Sequence, residues 1–165
     1  MAPLTSVDLA DILYCTRIVA NASLALGEEA IAAQLIADAE ALAAAIHRKF
    51  FVSSSSGYLD TRQTHLTMPL ISGAVPAEHA DGVWAALRKE IMETQAAHYD
   101  TGLHGTYFMT KLLTDTSFGF GGGDDMLYAM ATVATYPVTH RTIKESLCRH
   151  HTNVEHVDFA KTASG

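Results

Sequence analysis

Apolar residues recur at helical spacing through most of the chain, and polar caps, glycines and prolines divide them into six runs. The first carries Leu9, Ile12, Leu13, Ile18, Val19 and Ala22, with Ser6 as candidate N-cap, Asp8 in the first turn and Gly27 as the stop. Glu28 and Glu29 open a second helix that reaches Phe50, with Ile31, Leu35, Ile36, Ala39, Leu42, Ala43 and Ile46 as its stripe. Arg48 and Lys49 complement the helix dipole in its last turn. So short a connection makes the two helices an antiparallel hairpin.

Ser53 to Gly57 reads as a serine-rich turn, and Tyr58 to Thr64 as an extended entry into a third helix carrying Leu66, Met68, Leu70 and Ile71. Pro69 falls inside that pattern, so a kink or a late start is expected, and Gly73 ends the run. Pro76 is placed as the first residue of a fourth helix, whose inward stripe is Val83, Trp84, Leu87, Ile91 and Met92. Residues 98–105 form a loop, followed by a fifth helix from about Thr106 to Thr114 with Met109, Leu112 and Leu113 inward. The run Gly121-Gly122-Gly123 reads as a flexible linker, and Asp124 and Asp125 as caps of a sixth helix bearing Met126, Leu127, Met130 and Val133.

Strand signals are nearly absent. Six helices in three successive hairpins predict an all-α fold, each hairpin occupying roughly forty residues. A tetratricopeptide pattern does not recur and the hairpins are unequal, which favours a closed helical toroid over a solenoid. From residue 138 to residue 165 the pattern changes. Four of the nine histidines lie in this stretch and no apolar period is sustained, so 6–137 is read as the domain and 138–165 as an irregular tail.

Composition narrows the function classes. The chain has 165 residues, 48% hydrophobic and 18% charged, which suits one globular domain with a core. A net charge of −7 offers no basic face for phosphate backbones, so nucleic acid is not an expected partner. No membrane is expected either: the alanine-rich stretch Ala30 to Ile46 is broken by Gln34, Asp38 and Glu40. Residues 1–5 carry no basic n-region leading into an apolar h-region, so no secretory signal is read there. Two cysteines make no disulfide framework, and Cys15 is read as a small apolar filler inside a helix. Cys148, His150, His151 and His156 allow a rival reading as zinc ligands, disfavoured because adjacent histidines on a short tract seldom converge. No cofactor is expected.

Several ordered motifs point to one family. Leu26-Gly27 leads into an alanine-rich helix ending in Phe50-Phe51, and Gln63-Thr64 leads through an apolar helix to Gly73-Ala74-Val75-Pro76. The loop His98-Tyr99-Asp100-Thr101-Gly102-Leu103-His104-Gly105-Thr106 follows, then Asp125-Met126-Leu127-Tyr128-Ala129 and Thr135-Tyr136-Pro137. In order and spacing, residues 9–137 resemble the catalytic domain of α-L-rhamnosidases, six-hairpin (α/α)-barrel glycosidases. The resemblance implies about half of an (α/α)6 barrel and a carbohydrate partner, a terminal α-L-rhamnoside. Loops at one rim of such a toroid build the pocket. His98, Asp100, Thr101, Gly102, Gly105 and Thr106 are therefore the candidate substrate-binding residues: polar groups for sugar hydroxyls, and glycines for close backbone approach. Against this, the glycines can simply turn the chain and Thr106 can simply cap the fifth helix. Gln63 is read as a brace of the turn after Tyr58 and Trp84 as core packing, in preference to sugar contacts.

The family cleaves terminal rhamnose with inversion, which needs one carboxylic acid and one carboxylate roughly 6.5–9.5 Å apart. The resemblance puts the acid upstream of the first paired helices and the base shortly after the Tyr-Pro, next to a Trp-Glu. Here Val138-Thr139-His140-Arg141-Thr142 departs from that pattern, as a shifted frame, an altered splice or a truncated gene would produce. Neither Glu145 nor Glu155 follows a tryptophan, so no catalytic residue is assigned. The chain is expected to be a fragment without its own acid/base pair. A non-catalytic sugar-binding protein and a helical interaction module are the alternatives. A half-toroid also leaves apolar helix faces open, and self-association through that side is expected.

Overall fold

The structure is a computed structural model, and it describes residues 4–133. Its elements are α1 (Ser6–Ala25), α2 (Glu29–Phe50), β1 (Phe51–Val52), β2 (Gly57–Tyr58), α3 (Gln63–Ser72), α4 (Ala77–Lys89), α5 (Leu103–Thr114) and α6 (Gly123–Thr132). A π-helical turn, Glu90–Thr94, extends α4, and a short 3-10 turn, Thr116–Phe118, leads towards α6. The tail read from residue 138 onward, with its candidate zinc ligands, lies outside the described residues.

The helices pair as three hairpins. α1 packs on α2, α3 on α4 and α5 on α6, while α3 also packs against α1 on one side and α5 on the other. The result is a row, α1–α3–α5, backed by the other three helices. α3 is the middle of that row, and it buries Gln63 and every residue from Leu66 to Ser72. The serine-rich turn closes a two-residue antiparallel ladder, Phe51 opposite Tyr58 and Val52 opposite Gly57, which carries the chain from α2 into α3. Tyr58 is fully buried there, its hydroxyl 2.6 Å from His47 Nδ1. Burial pushes the phenol well above its ordinary range, so it serves as a neutral strut.

The ends of the helices differ from the expected caps for local reasons. Thr5, not Ser6, caps α1: its hydroxyl accepts from Asp8 N–H while the Asp8 carboxylate accepts from Thr5 N–H at 2.8 Å. This reciprocal box needs an acceptor three residues after the cap, which Thr5 has in Asp8 and Ser6 lacks in Leu9. The Thr5 hydrogen bonds hold the Asp8 carboxyl below the usual range. α3 starts at Gln63 and runs through Pro69, without the late start. Pro76 precedes α4 as its N-cap. α5 starts earlier than expected, at Leu103, with Gly102 as cap. Gly122, left-handed at φ 77°, caps α6 and leaves Asp124 and Asp125 in the first turn. The glycine run is packed, not a free linker: a Cβ at Gly123 would collide with the Leu113 carbonyl. Trp84 is half-buried, stacked on Phe120 at 4.7 Å with its indole N–H donating to the Gly121 carbonyl.

The buried faces also differ from the large apolar stripes. On α1 the buried residues are Ser6, Ala10, Leu13, Ala20 and Ser23, whereas Ile12, Ile18 and Val19 stand about half exposed. On α2, Ala32, Ala39 and Ile46 are buried while Ile31 and Ile36 are exposed. Small residues let α1 approach its neighbours closely, and the bulkier stripe faces away. One ridge of α1 stands out: Ile12, Cys15, Val19, Ala22 and Leu26, alternately three and four residues apart, are all exposed. Cys15 is therefore not a core filler. On α4, Val83, Leu87 and Ile91 are buried as expected, but Met92 is turned outward where the π turn inserts its extra residue. α2 has the length and composition to cross a membrane, and it presents Gln34, Asp38 and Glu40 on its exposed face.

Two buried hydroxyls, Ser6 Oγ and Thr67 Oγ1, have no hydrogen-bond partner among the described residues. An unpaired buried hydroxyl costs about 1–3 kcal/mol. Thr67→Val keeps the branched shape and removes the group, so it is expected to raise stability by about 1 kcal/mol. Urea denaturation of the two chains checks this; an unchanged or lower midpoint contradicts it.

Candidate functional site

The 98–106 loop is launched by unusual backbone. After the π turn, Ala96 (φ 48°) and Ala97 (φ 63°) are both left-handed, a conformation that costs a residue with a Cβ roughly 1–2 kcal/mol. Ala97 N–H donates to the Ile91 carbonyl at 2.8 Å, which closes the end of the turn. The chain then doubles back over the start of α3. There the fully buried Gln63 side chain holds it at two points. Gln63 Nε2 donates to the His98 carbonyl at 2.8 Å, and Asp100 N–H donates to Gln63 Oε1 at 2.9 Å. Gln63 is thus a brace, as expected, but of this loop rather than of the turn after Tyr58.

The six candidate residues fall on this loop and the first turn of α5. His98 is half-buried, and its Nδ1 stands 2.8 Å from the Gln95 carbonyl, so that nitrogen carries the proton. The Asp100 side chain is exposed. Thr101 and Thr106 are half-buried, with their hydroxyls 2.6 Å apart, which leaves one of the two hydroxyl protons uncommitted. Gly102 is exposed, with extended backbone (φ −76°) and open space where a Cβ would stand. Gly105 is the opposite case. It is buried in the first turn of α5, and a Cβ there would press on the Thr64 hydroxyl and the Thr101 side chain. Only a glycine lets α5 come this close to α3.

Two groupings at the same end of the row were not anticipated. Asp60 Oδ1 accepts from Arg62 N–H at 2.9 Å and stands 2.6 Å from His65 Nδ1. The Asp-x-Arg spacing is the signal of an Asx turn, and it orders the entry into α3. The second grouping joins α1 to α5. Asp11 Oδ1 lies 3.7 Å from His104 Nε2, and the Tyr14 and His104 rings both meet the Phe108 ring edge-on, at 5.2 and 4.7 Å. Nothing local in sequence links residue 11 to residue 104. These contacts place the N-terminal ends of α1, α3 and α5 together, so the loop sits on a shared rim. Among the described residues no group of three or more histidine, cysteine, aspartate or glutamate side chains is placed to hold a metal.

Inner helices in a row, each backed by a partner and with a loop braced at their common end, define part of a helical-hairpin toroid. The chain belongs to the bacterial α-L-rhamnosidase six-hairpin glycosidase domain family, whose model matches residues 3–145. Two solved structures are similar to it. The α-L-rhamnosidase from Dictyoglumus thermophilum is 27% identical with a TM-score of 0.70, over 81% of this chain and 14% of that one. The α-L-rhamnosidase from Aspergillus terreus is 23% identical with a TM-score of 0.71, over 82% of this chain and 15% of that one, and supports the fold. The chain therefore spans about one seventh of the length of either enzyme. No curated protein matches it.

The two loop glycines separate packing from mere flexibility. Gly105→Ala is expected to destabilise by about 1–3 kcal/mol, since the methyl must displace Thr64 or Thr101. Gly102→Ala is expected to stay within about 0.5 kcal/mol of the natural chain. Thermal denaturation of both variants checks the contrast, and equal effects refute it.

Proposed function

We propose that the rim formed by His98, Asp100, Thr101, Gly102, Gly105 and Thr106 contacts the terminal α-L-rhamnosyl unit of a glycoside, and that this chain on its own binds that unit without hydrolysing it. The observation that carries the reading is the double hold of Gln63 on residues 98 and 100. Rigid placement of a polar loop at the rim of a family glycosidase domain is what sugar recognition requires, because an ordered loop spends less entropy on binding. The second half rests on chemistry. Inverting hydrolysis needs two carboxyl groups roughly 6.5–9.5 Å apart. Among the described carboxylates, Asp8 is engaged in the α1 cap and Asp60 in the turn before α3. The family resemblance puts the base after Pro137, outside the described residues.

Two assays test this together. With an aryl α-L-rhamnoside, no turnover is expected at high protein concentration. With free L-rhamnose, the melting temperature is expected to rise with sugar concentration, by a stabilisation of about 2.7 kcal/mol at a hundred times Kd. Turnover overturns the loss of chemistry. Absence of any shift overturns sugar binding and favours a helical interaction module instead.

A second reading concerns the solution state and rests on the exposed α1 ridge of Ile12, Cys15, Val19, Ala22 and Leu26. Its spacing of three and four is that of a helix–helix seam. A second copy of the chain is proposed to cover it. Sedimentation at rising concentration is expected to show association that Val19→Glu abolishes; a monomer at every concentration rules this out.

A further inference from the structure

We propose that the cleft between the serine-rich turn and the C-terminal half of α4 binds a free α-amino acid, with the Glu90 carboxylate taking the ammonium group and Lys89 the carboxylate. This goes beyond the rhamnoside reading and does not depend on it, since none of the residues 98–106 lines the cleft.

The cleft has a volume of about 620 Å³, a size suited to a small molecule. One wall is the turn, with Ser54, Ser55 and Ser56. The other is α4 with the π turn that extends it, including Lys89 and Glu90. Ser56 is left-handed (φ 50°) and leans on α4 at Gly82, where a Cβ would stand 3.1 Å from the Ser56 hydroxyl. The missing side chain at Gly82 lets the two walls come this close.

Glu90 is only 7% exposed, yet it lines this cleft. Its Oε1 accepts from Gln95 Nε2 at 3.0 Å, and Gln95 N–H donates to the Glu90 carbonyl at 2.9 Å. The two ends of the π turn therefore hold the carboxylate in place. The other oxygen, Oε2, has no hydrogen-bond donor among the described residues, and Glu90 makes no ion pair with any of them. A buried carboxylate is costly unless a charge or several donors meet it. The free oxygen thus suits a cationic N–H donor arriving from the cleft, and a protonated amine is both cation and donor. A simple amine is opposed by the next-door Lys89, which lines the same cleft, is exposed and is also without an ion pair among the described residues. A ligand with a carboxylate beside its amine turns that repulsion into a second contact. The serine hydroxyls of the facing wall can donate to the ligand's carboxylate or accept from its ammonium. α-Amino acids carry this pairing of charges, and the remaining volume admits a side chain.

The experiment uses the isotope-labelled full chain, followed by NMR titration with L-alanine, with propionate, which lacks the amine, and with ethylamine, which lacks the carboxylate. L-Alanine is expected to shift the Gln95 side-chain amide and the backbone signals of Ser54 to Ser56 saturably. It is expected to bind at least tenfold more tightly than either half. Glu90→Gln keeps the acceptor for Gln95 and removes the charge, and Lys89→Met removes the second charge at an exposed position; each is expected to weaken L-alanine at least tenfold. No saturable shift with L-alanine overturns the site. Propionate binding as tightly as L-alanine overturns the contact with Glu90, and ethylamine binding as tightly overturns the contact with Lys89. If L-rhamnose shifts these signals and L-alanine does not, the cleft belongs to the sugar and the proposal falls. The comparison of L-alanine with its two halves needs only the natural chain, so it decides the matter even if Glu90→Gln fails to fold.

Discussion

A buried primary amide must find its hydrogen bonds in protein, and Gln63 finds two of them on one loop. That constraint organises the rim. Gln63 is the first residue of α3, the helix at the centre of the row, so whatever it holds is referenced to the most buried element of the fold. By taking the His98 carbonyl and the Asp100 N–H it satisfies backbone groups that would otherwise sit half-buried and unpaired. It also sets the direction in which the chain enters α5. The left-handed alanines at 96 and 97 are the strained approach to this hold, and their cost is tolerable because the clamp on the far side is strong.

The same row explains the uneven distribution of apolar surface. α3 has neighbours on both sides and buries nearly everything it carries, whereas α1 has an inner neighbour on one side only. Its contact face is made of small residues, which permit close packing, and its bulky residues lie on the side where the row has no further described member. Among the described residues no helix covers that ridge, so α1 presents apolar surface that its own hairpin does not use.

Much of this was legible in the sequence. Six helices, their order and their approximate ends follow from apolar spacing and from Gly27, Gly73 and Pro76, and the 98–106 motif marks the loop. What was not legible depended on distance or on partners. Periodicity gives the stripe of an amphipathic helix but not which of two apolar faces has a neighbour, so Ile12 and Val19 were misplaced. The Thr5–Asp8 box, a local signal, was present and outranked Ser6. Gly105 looked equivalent to Gly102, yet one separates two helices by the width of a missing methyl and the other has open space around it. The Asp11–His104 approach spans most of the chain, and no local rule reports it.

The rim thereby divides its polar groups by duty. The main chain at 98 and 100 is spent on Gln63, the Thr101 and Thr106 hydroxyls are largely spent on each other, and the His98 Nδ1 proton is directed to the Gln95 carbonyl. These contacts set the shape of the loop, so the polar edges they leave over are presented in one fixed arrangement. Exposed polar side chains at this rim include Asp100 and His104, both within residues 98–106, and the part-exposed Asp11 faces His104 from α1. A loop that satisfies its own backbone is rigid, and a ligand that meets such a loop spends little entropy on ordering it.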